Sequence, residues 1–142
     1  MLKKCCPHQG CKTIININEP ACDIHKNYYD INVRHSKENK KYDDFYHSIE
    51  WTSMRNCILG DYDGLDVYAL YAHDTILNAS LVHHIVELKV NWELRLSKIN
   101  LIPISDTSHR EIGKLYRIDI KGIQAMLYKC LERYKSDFKA HM

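Results

Sequence analysis

The chain has 142 residues, with 20 Lys+Arg against 18 Asp+Glu, a formal net charge of +2, and 45% hydrophobic and 27% charged residues. That length and balance fit one compact domain or a small domain with an appended module. They exclude a wholly disordered chain, a collagen-like repeat and a strongly cationic nucleic-acid coat. Apolar runs such as Leu81-Val82 are far too short to cross a bilayer, and no apolar stretch follows Lys3 and Lys4. No membrane association and no export are therefore expected, and the expected location is the cytoplasm.

The chain opens with a cysteine module. Four of the six cysteines fall in the first 22 residues, and in a chain with no export signal they read as metal ligands rather than disulfides. The spacing is Cys6-x4-Cys11-x10-Cys22-x2-His25, with Cys5 an alternative first ligand. Three thiolates and one imidazole are the donor set of a closed tetrahedral zinc site, and Pro7 and Gly10 can form the tight knuckle between the first two. So short a segment buries too little apolar surface to fold alone. Zinc would supply the missing free energy, on the order of 10 kcal/mol.

Residues 26–41 are polar and lack a clear period, as expected of an exposed connector. They carry Arg34, Lys37, Lys40 and Lys41, with Tyr42 and Tyr46 just beyond. Such cations could touch phosphates, although a charge run is more often a solvated face. From Ser48 the pattern predicts a helix: Ser48 is an N-cap, Trp51, Met54 and Ile58 recur at helical spacing, and Gly60 stands where the chain should leave the helix. Gly60 to Gly64 is a loop by its turn chemistry. Residues 79–88, rich in Val, Leu and Ile, predict a strand; 91–98 a polar loop; and 99–104 a second short apolar segment broken by Pro103. Asp106 is a good N-cap for a helix toward Tyr116. The final segment is the clearest helix, with Ile120, Ile123, Leu127, Cys130, Leu131, Tyr134 and Phe138 on one stripe. That stripe fits intramolecular packing or a dimer seam, so the chain would be a monomer or a dimer.

His83 and His84 sit toward the end of the predicted strand, followed by Asn100 and His109. Neighbouring side chains of a strand point to opposite faces, so the two histidines would do different work. One can bind a metal while the other acts as a general base. His109, in the first turn of a helix, could supply a second ligand, and Asn100 has the donor and acceptor needed to pin a loop. A lone histidine on an apolar face is usually just a core residue, so spacing alone does not decide.

The run Leu81-Val82-His83-His84-Ile85-Val86, then Asn100-Leu101, then Ser108-His109, resembles the HNH endonuclease motif. The Cys-x4-Cys…Cys-x2-His opening, the phrase Phe45-Tyr46-His47-Ser48-Ile49-Glu50-Trp51 and Arg55 are similar to the phage and prophage branch of that family. The resemblance implies an α+β fold: a small ββα-metal core at 61–117, an N-terminal zinc knuckle at 1–27, a helical connector and scaffold at 28–60, and a C-terminal amphipathic helix at 118–142. It implies that His83 and His109 bind a catalytic Mg²⁺ or Mn²⁺, that His84 activates water, and that Asn100 holds the intervening loop. The substrate would be DNA, with Arg55 and Arg110 as further phosphate contacts and phage packaging proteins as implied partners. Two departures stand out. Where many relatives hold a second zinc with two Cys-x2-Cys pairs, this chain has Asp66, Ala69, Ser105 and Ser108, so that zinc is not expected. Packing by Trp51, Tyr68, Leu70 and the last helix would have to replace it. The third histidine of colicin-type sites would fall at Gly113. The rival reading is a non-catalytic module that binds DNA or protein. An enzyme would leave His84 unliganded beside an open cleft, whereas a structural site would be closed by four ligands.

Overall fold

The computed structural model describes residues 2–26 and 39–139, which form two units, Met1–Phe45 and Tyr46–Met142. Arg34 and Lys37 lie outside the described residues. In the first unit, β1 (Lys3–Cys5) and β2 (Ile14–Asn16) make an antiparallel hairpin in which Cys5 pairs with Ile14. Its core is Cys6, Ile15, Ala21 and Cys22, too small to hold a fold by burial alone. Residues 39–46 are helical and are called α1.

The second unit follows the order α2 (Ile49–Asp61), α3 (Val67–Ala72), β3 (Leu81–His84), β4 (Leu101–Ile104) and α4 (Asp106–Tyr134). Ser48 caps α2 as its sequence position predicts, its Oγ accepting from the Trp51 N–H. The helix does not stop at Gly60. It continues to Asp61, and the Tyr62 N–H bonds to the Ile58 and Gly60 carbonyls. Ile58 and Tyr62 are both buried, and their packing outweighs the roughly 1 kcal/mol that an interior glycine costs. The turn falls instead on Asp63 and Gly64, with φ of 57° and 69°.

β3 and β4 pair antiparallel, His83 opposite Ile102 and His84 opposite Leu101. All of β4 is buried, in contact with α2, α3 and α4, which is why its sequence is uniformly apolar rather than alternating. β3 is shorter than the apolar run from 79 to 88 predicts. After His84 the chain leaves the ladder: the Ile85 N–H bonds to the Asn100 carbonyl, and the Asn100 side chain takes both backbone groups of Val86.

Ser105, not Asp106, caps α4; its Oγ accepts from the Ser108 N–H, and Asp106 becomes the first helical residue. The helix breaks at Asp119 (φ −153°, ψ 80°), whose carboxylate accepts from the Gly122 N–H and so starts the second half afresh. A Cβ at 122 would collide with that carboxylate, so any other residue there would have to displace the Asp119 cap. Beyond the break Leu127, Cys130, Leu131 and Tyr134 face the core, while Ile120 and Phe138 at the ends of the predicted stripe are exposed. No helix among the described residues is long and apolar enough to cross a membrane. Helices with two small antiparallel sheets make this an α+β fold, and β3, β4 and the first half of α4 are its ββα unit.

Candidate functional site

Two clusters of nitrogen and sulfur donors are present, one in each unit. In the first, the four side chains of the cysteine module converge: one ligand atom each from Cys6, Cys11, Cys22 and His25 lies within 4.8 Å of the others. A turn at His8–Cys11, closed by the Cys11 N–H on the His8 carbonyl with Gly10 at φ 83°, brings the second sulfur round. A second turn, from the Cys22 carbonyl to the His25 and Lys26 N–H groups, sets His25 Nδ1 3.2 Å from Cys22 Sγ. The His25 ring stacks on His8 at 3.9 Å. Of the alternative first ligands, Cys6 is buried in the cluster and Cys5 is exposed. Thr13, its hydroxyl 3.4 Å from Cys11 Sγ, holds that thiol down at about 7, whereas burial pushes Cys22 up. A cation shared by all four would favour the thiolate at both.

The second cluster stands on the ββα unit. His83 and His84 leave β3 on opposite faces. His83 is half-buried, and its ring lies 5.5 Å from that of His109, which the first turn of α4 carries and leaves exposed. Both histidines line a cleft of about 380 Å³, together with Glu87, Gly113, Tyr116 and Arg117. The Tyr116 hydroxyl donates to the Ile85 carbonyl at 2.7 Å and lies 3.1 Å from His83 Nε2. A tyrosine has one proton to give, and a carbonyl can only accept. The Tyr116 oxygen must therefore accept from His83 Nε2–H, which leaves the lone pair on Nδ1. Burial, then the neighbouring His109 and His84, push the His83 imidazole down to about 3, so it is neutral at physiological pH and able to ligate.

His84 points the other way. It is only 5% exposed and is not among the residues lining the cleft, in contrast to the open position expected of it. Its Nε2 lies 3.0 Å from the Arg95 carbonyl, which makes Nε2 the protonated nitrogen; Nδ1 faces the Tyr46 hydroxyl at 3.4 Å. The ring stacks on Trp51 at 4.9 Å, and burial lowers its basicity. Asn100 is 1% exposed and does as a loop clasp should: Oδ1 accepts from the Val86 N–H at 2.8 Å and Nδ2 donates to the Val86 carbonyl at 3.0 Å. Arg55 donates to the Ser80 carbonyl at 3.2 Å, three residues before His83, so it braces the start of β3. Arg110 is exposed and does not line the cleft, and Lys40 and Lys41 are on α1 of the first unit.

Sequence reasoning missed two things. Tyr116, Glu87 and Arg117 join the cleft through the register of α4 and the turn after β3, which no motif marks. The four positions that the resemblance sets against two Cys-x2-Cys pairs are also brought together, by hydrogen bonds. Asp66 Oδ2 accepts from the Ser105 N–H at 2.9 Å, Ser105 Oγ at 2.6 Å and Ser108 Oγ at 2.5 Å, and Oδ1 accepts from the Ala69 N–H at 2.8 Å. One fully buried carboxylate thus ties the start of α3 to the start of α4, and with it the turn that holds His109.

These features define a ββα-metal fold with a histidine cleft on it. No protein-family model matches the chain, and no curated protein does. Among solved structures, the HNH endonuclease of the deep-sea thermophilic bacteriophage GVE2, crystallised with manganese ion, is 31% identical, with 65% of this chain and 96% of that one covered and a TM-score of 0.53. The chain belongs to the HNH endonuclease family.

Proposed function

We propose that the protein is a metal-dependent endonuclease that hydrolyses DNA phosphodiester bonds at the cleft of His83 and His109. The observation that carries this reading is the meeting of those two rings, 5.5 Å apart, at an open cleft that also holds a carboxylate, Glu87. Two imidazoles and one carboxylate suit a divalent ion such as Mg²⁺ or Mn²⁺ that keeps positions for water and phosphate oxygen. The manganese of the phage relative supports the same class of metal. When bound, such an ion supplies charge neutralisation at the scissile phosphate and the departing oxygen.

The chain's own residues do the rest. His83, its Nε2–H given to Tyr116, presents Nδ1; His109 presents a ring nitrogen from across the cleft. Asn100 keeps the turn after β3 in place by holding Val86. His84, its Nε2–H anchored on the Arg95 carbonyl, keeps its lone pair on Nδ1; it would serve as general base only once the Tyr46 hydroxyl gives way and Nδ1 opens to the water that attacks in the cleft. Cys6, Cys11, Cys22 and His25 hold zinc as a structural clip on the first unit.

One observation favours the rival reading of a non-catalytic binding module. His84 is buried with both nitrogens engaged, whereas a base must reach water. Conversion of supercoiled plasmid by purified protein in Mg²⁺ or Mn²⁺ decides between them, run beside His83→Ala and His109→Ala. Cleavage by the native protein, lost in both variants, is the expected result. No cleavage in either metal selects the binding module.

A further inference from the structure

Gly113 leaves a gap in the wall of the cleft. A Cβ built there, at the position that the resemblance gives to a third histidine, meets nothing within 4 Å. His109, Gly113, Tyr116 and Arg117 are spaced i, i+4, i+7 and i+8 on the unbroken first half of α4, which puts them on one face. A helical side chain leans toward the helix N-terminus and covers the turn before its own Cα. A side chain at 117 that leans this way passes over the turn holding Gly113, toward His109, and Arg117 lines the same cleft. Among the described residues it makes no ion pair or hydrogen bond. Glu87, the acid that shares the cleft, is not ion-paired with it.

From this geometry we infer that Arg117 is the phosphate-binding residue of the cleft, holding the scissile phosphodiester through the gap at Gly113. A guanidinium offers two parallel N–H donors to two phosphate oxygens, a match that a lone ammonium lacks. With Arg55 turned to the Ser80 carbonyl and Arg110 outside the cleft, Arg117 is, among the described residues, the arginine that lines the cleft with His83 and His109. The inference rests on the reading of this cleft as a nucleic-acid site. It does not require that the site cleave.

The test is fluorescence anisotropy of a labelled DNA duplex against the zinc-loaded full chain, without added divalent ion, over a series of salt concentrations. Each phosphate contact contributes about one unit to the slope of log affinity against log salt, so Arg117→Ala should flatten the slope by about one. Its affinity should fall about tenfold at low salt, as befits one lost charge-assisted bidentate contact. Arg117→Lys should keep the slope and recover only part of the affinity. An unchanged slope and affinity in Arg117→Ala overturns the assignment. So does an equal loss in Lys114→Ala, which would mark diffuse attraction to the helix. Plasmid conversion by the same preparations separates the two claims. A flattened slope without cleavage by the native protein keeps Arg117 as an anion site and removes the nuclease reading. Cleavage by an Arg117→Ala variant with native binding does the reverse.

Discussion

The two donor clusters use overlapping residue types to opposite ends. In the N-terminal unit, four donors face one another around a common point, among residues that have almost no other core. In the ββα unit, two histidines face a cleft open to solvent, and the surrounding core includes the fully buried Ile85, Leu101, Ile102, Ile104 and Ile112. A closed site serves folding, because every coordination position belongs to the protein. An open site suits binding or catalysis, because positions remain for water and substrate. The number of convergent donors and the size of the apolar core around them separate the two roles; the identity of the ligands does not.

The sharpest way to break that contrast is to remove one ligand from the closed site. Cys22→Ser should abolish stoichiometric zinc, measured by elemental analysis, and unfold the hairpin, with a loss of metal-linked folding energy on the order of 10 kcal/mol. The ββα unit should keep its circular dichroism and its own melting transition. Next comes the carboxylate node of Asp66. Asp66→Ala leaves two serine hydroxyls and two N–H groups without their acceptor, and should lower the stability of the second unit by about 3 kcal/mol in urea denaturation. The open site should respond more mildly to its neighbours. Tyr116→Phe removes the acceptor for His83 Nε2–H and should weaken Mn²⁺ binding about tenfold in an electron paramagnetic resonance titration, with little change in melting temperature. The smallest effect belongs to Cys5→Ser, which should leave zinc content unchanged because Cys5 is exposed outside the cluster.

Much of this was legible in the sequence, where the signal was local or motif-like. The Cys6, Cys11, Cys22 and His25 spacing predicts a convergence that the turns at Gly10 and Cys22 deliver. Ser48 caps α2 as expected, and the alternation of a strand separates His83 from His84. Boundaries set by tertiary packing were not legible: α2 runs past Gly60 because Ile58 and Tyr62 are buried on either side of it. Nor were partners chosen by helix register, such as Tyr116 for His83 and Arg117 for the cleft, because these depend on how α4 lies against β3. The serines and aspartate at 66, 105 and 108 read as a vanished metal site. Only the fold brings them close enough to become a hydrogen-bonded one. The burial of His84 was equally hidden, since it comes from Trp51 and Tyr46, more than 30 positions away in the chain.

The burial of His84 makes it the residue on which the account turns. The most direct measurement is the rate at which zinc-loaded native protein and His84→Ala nick supercoiled plasmid in Mn²⁺ or Mg²⁺, with circular dichroism and Mn²⁺ binding recorded on both. The account predicts cleavage by the native protein and a loss of about 10²-fold or more in a variant that still folds and binds the ion. Equal rates in the two proteins, or no cleavage by the native protein in either metal, would contradict it.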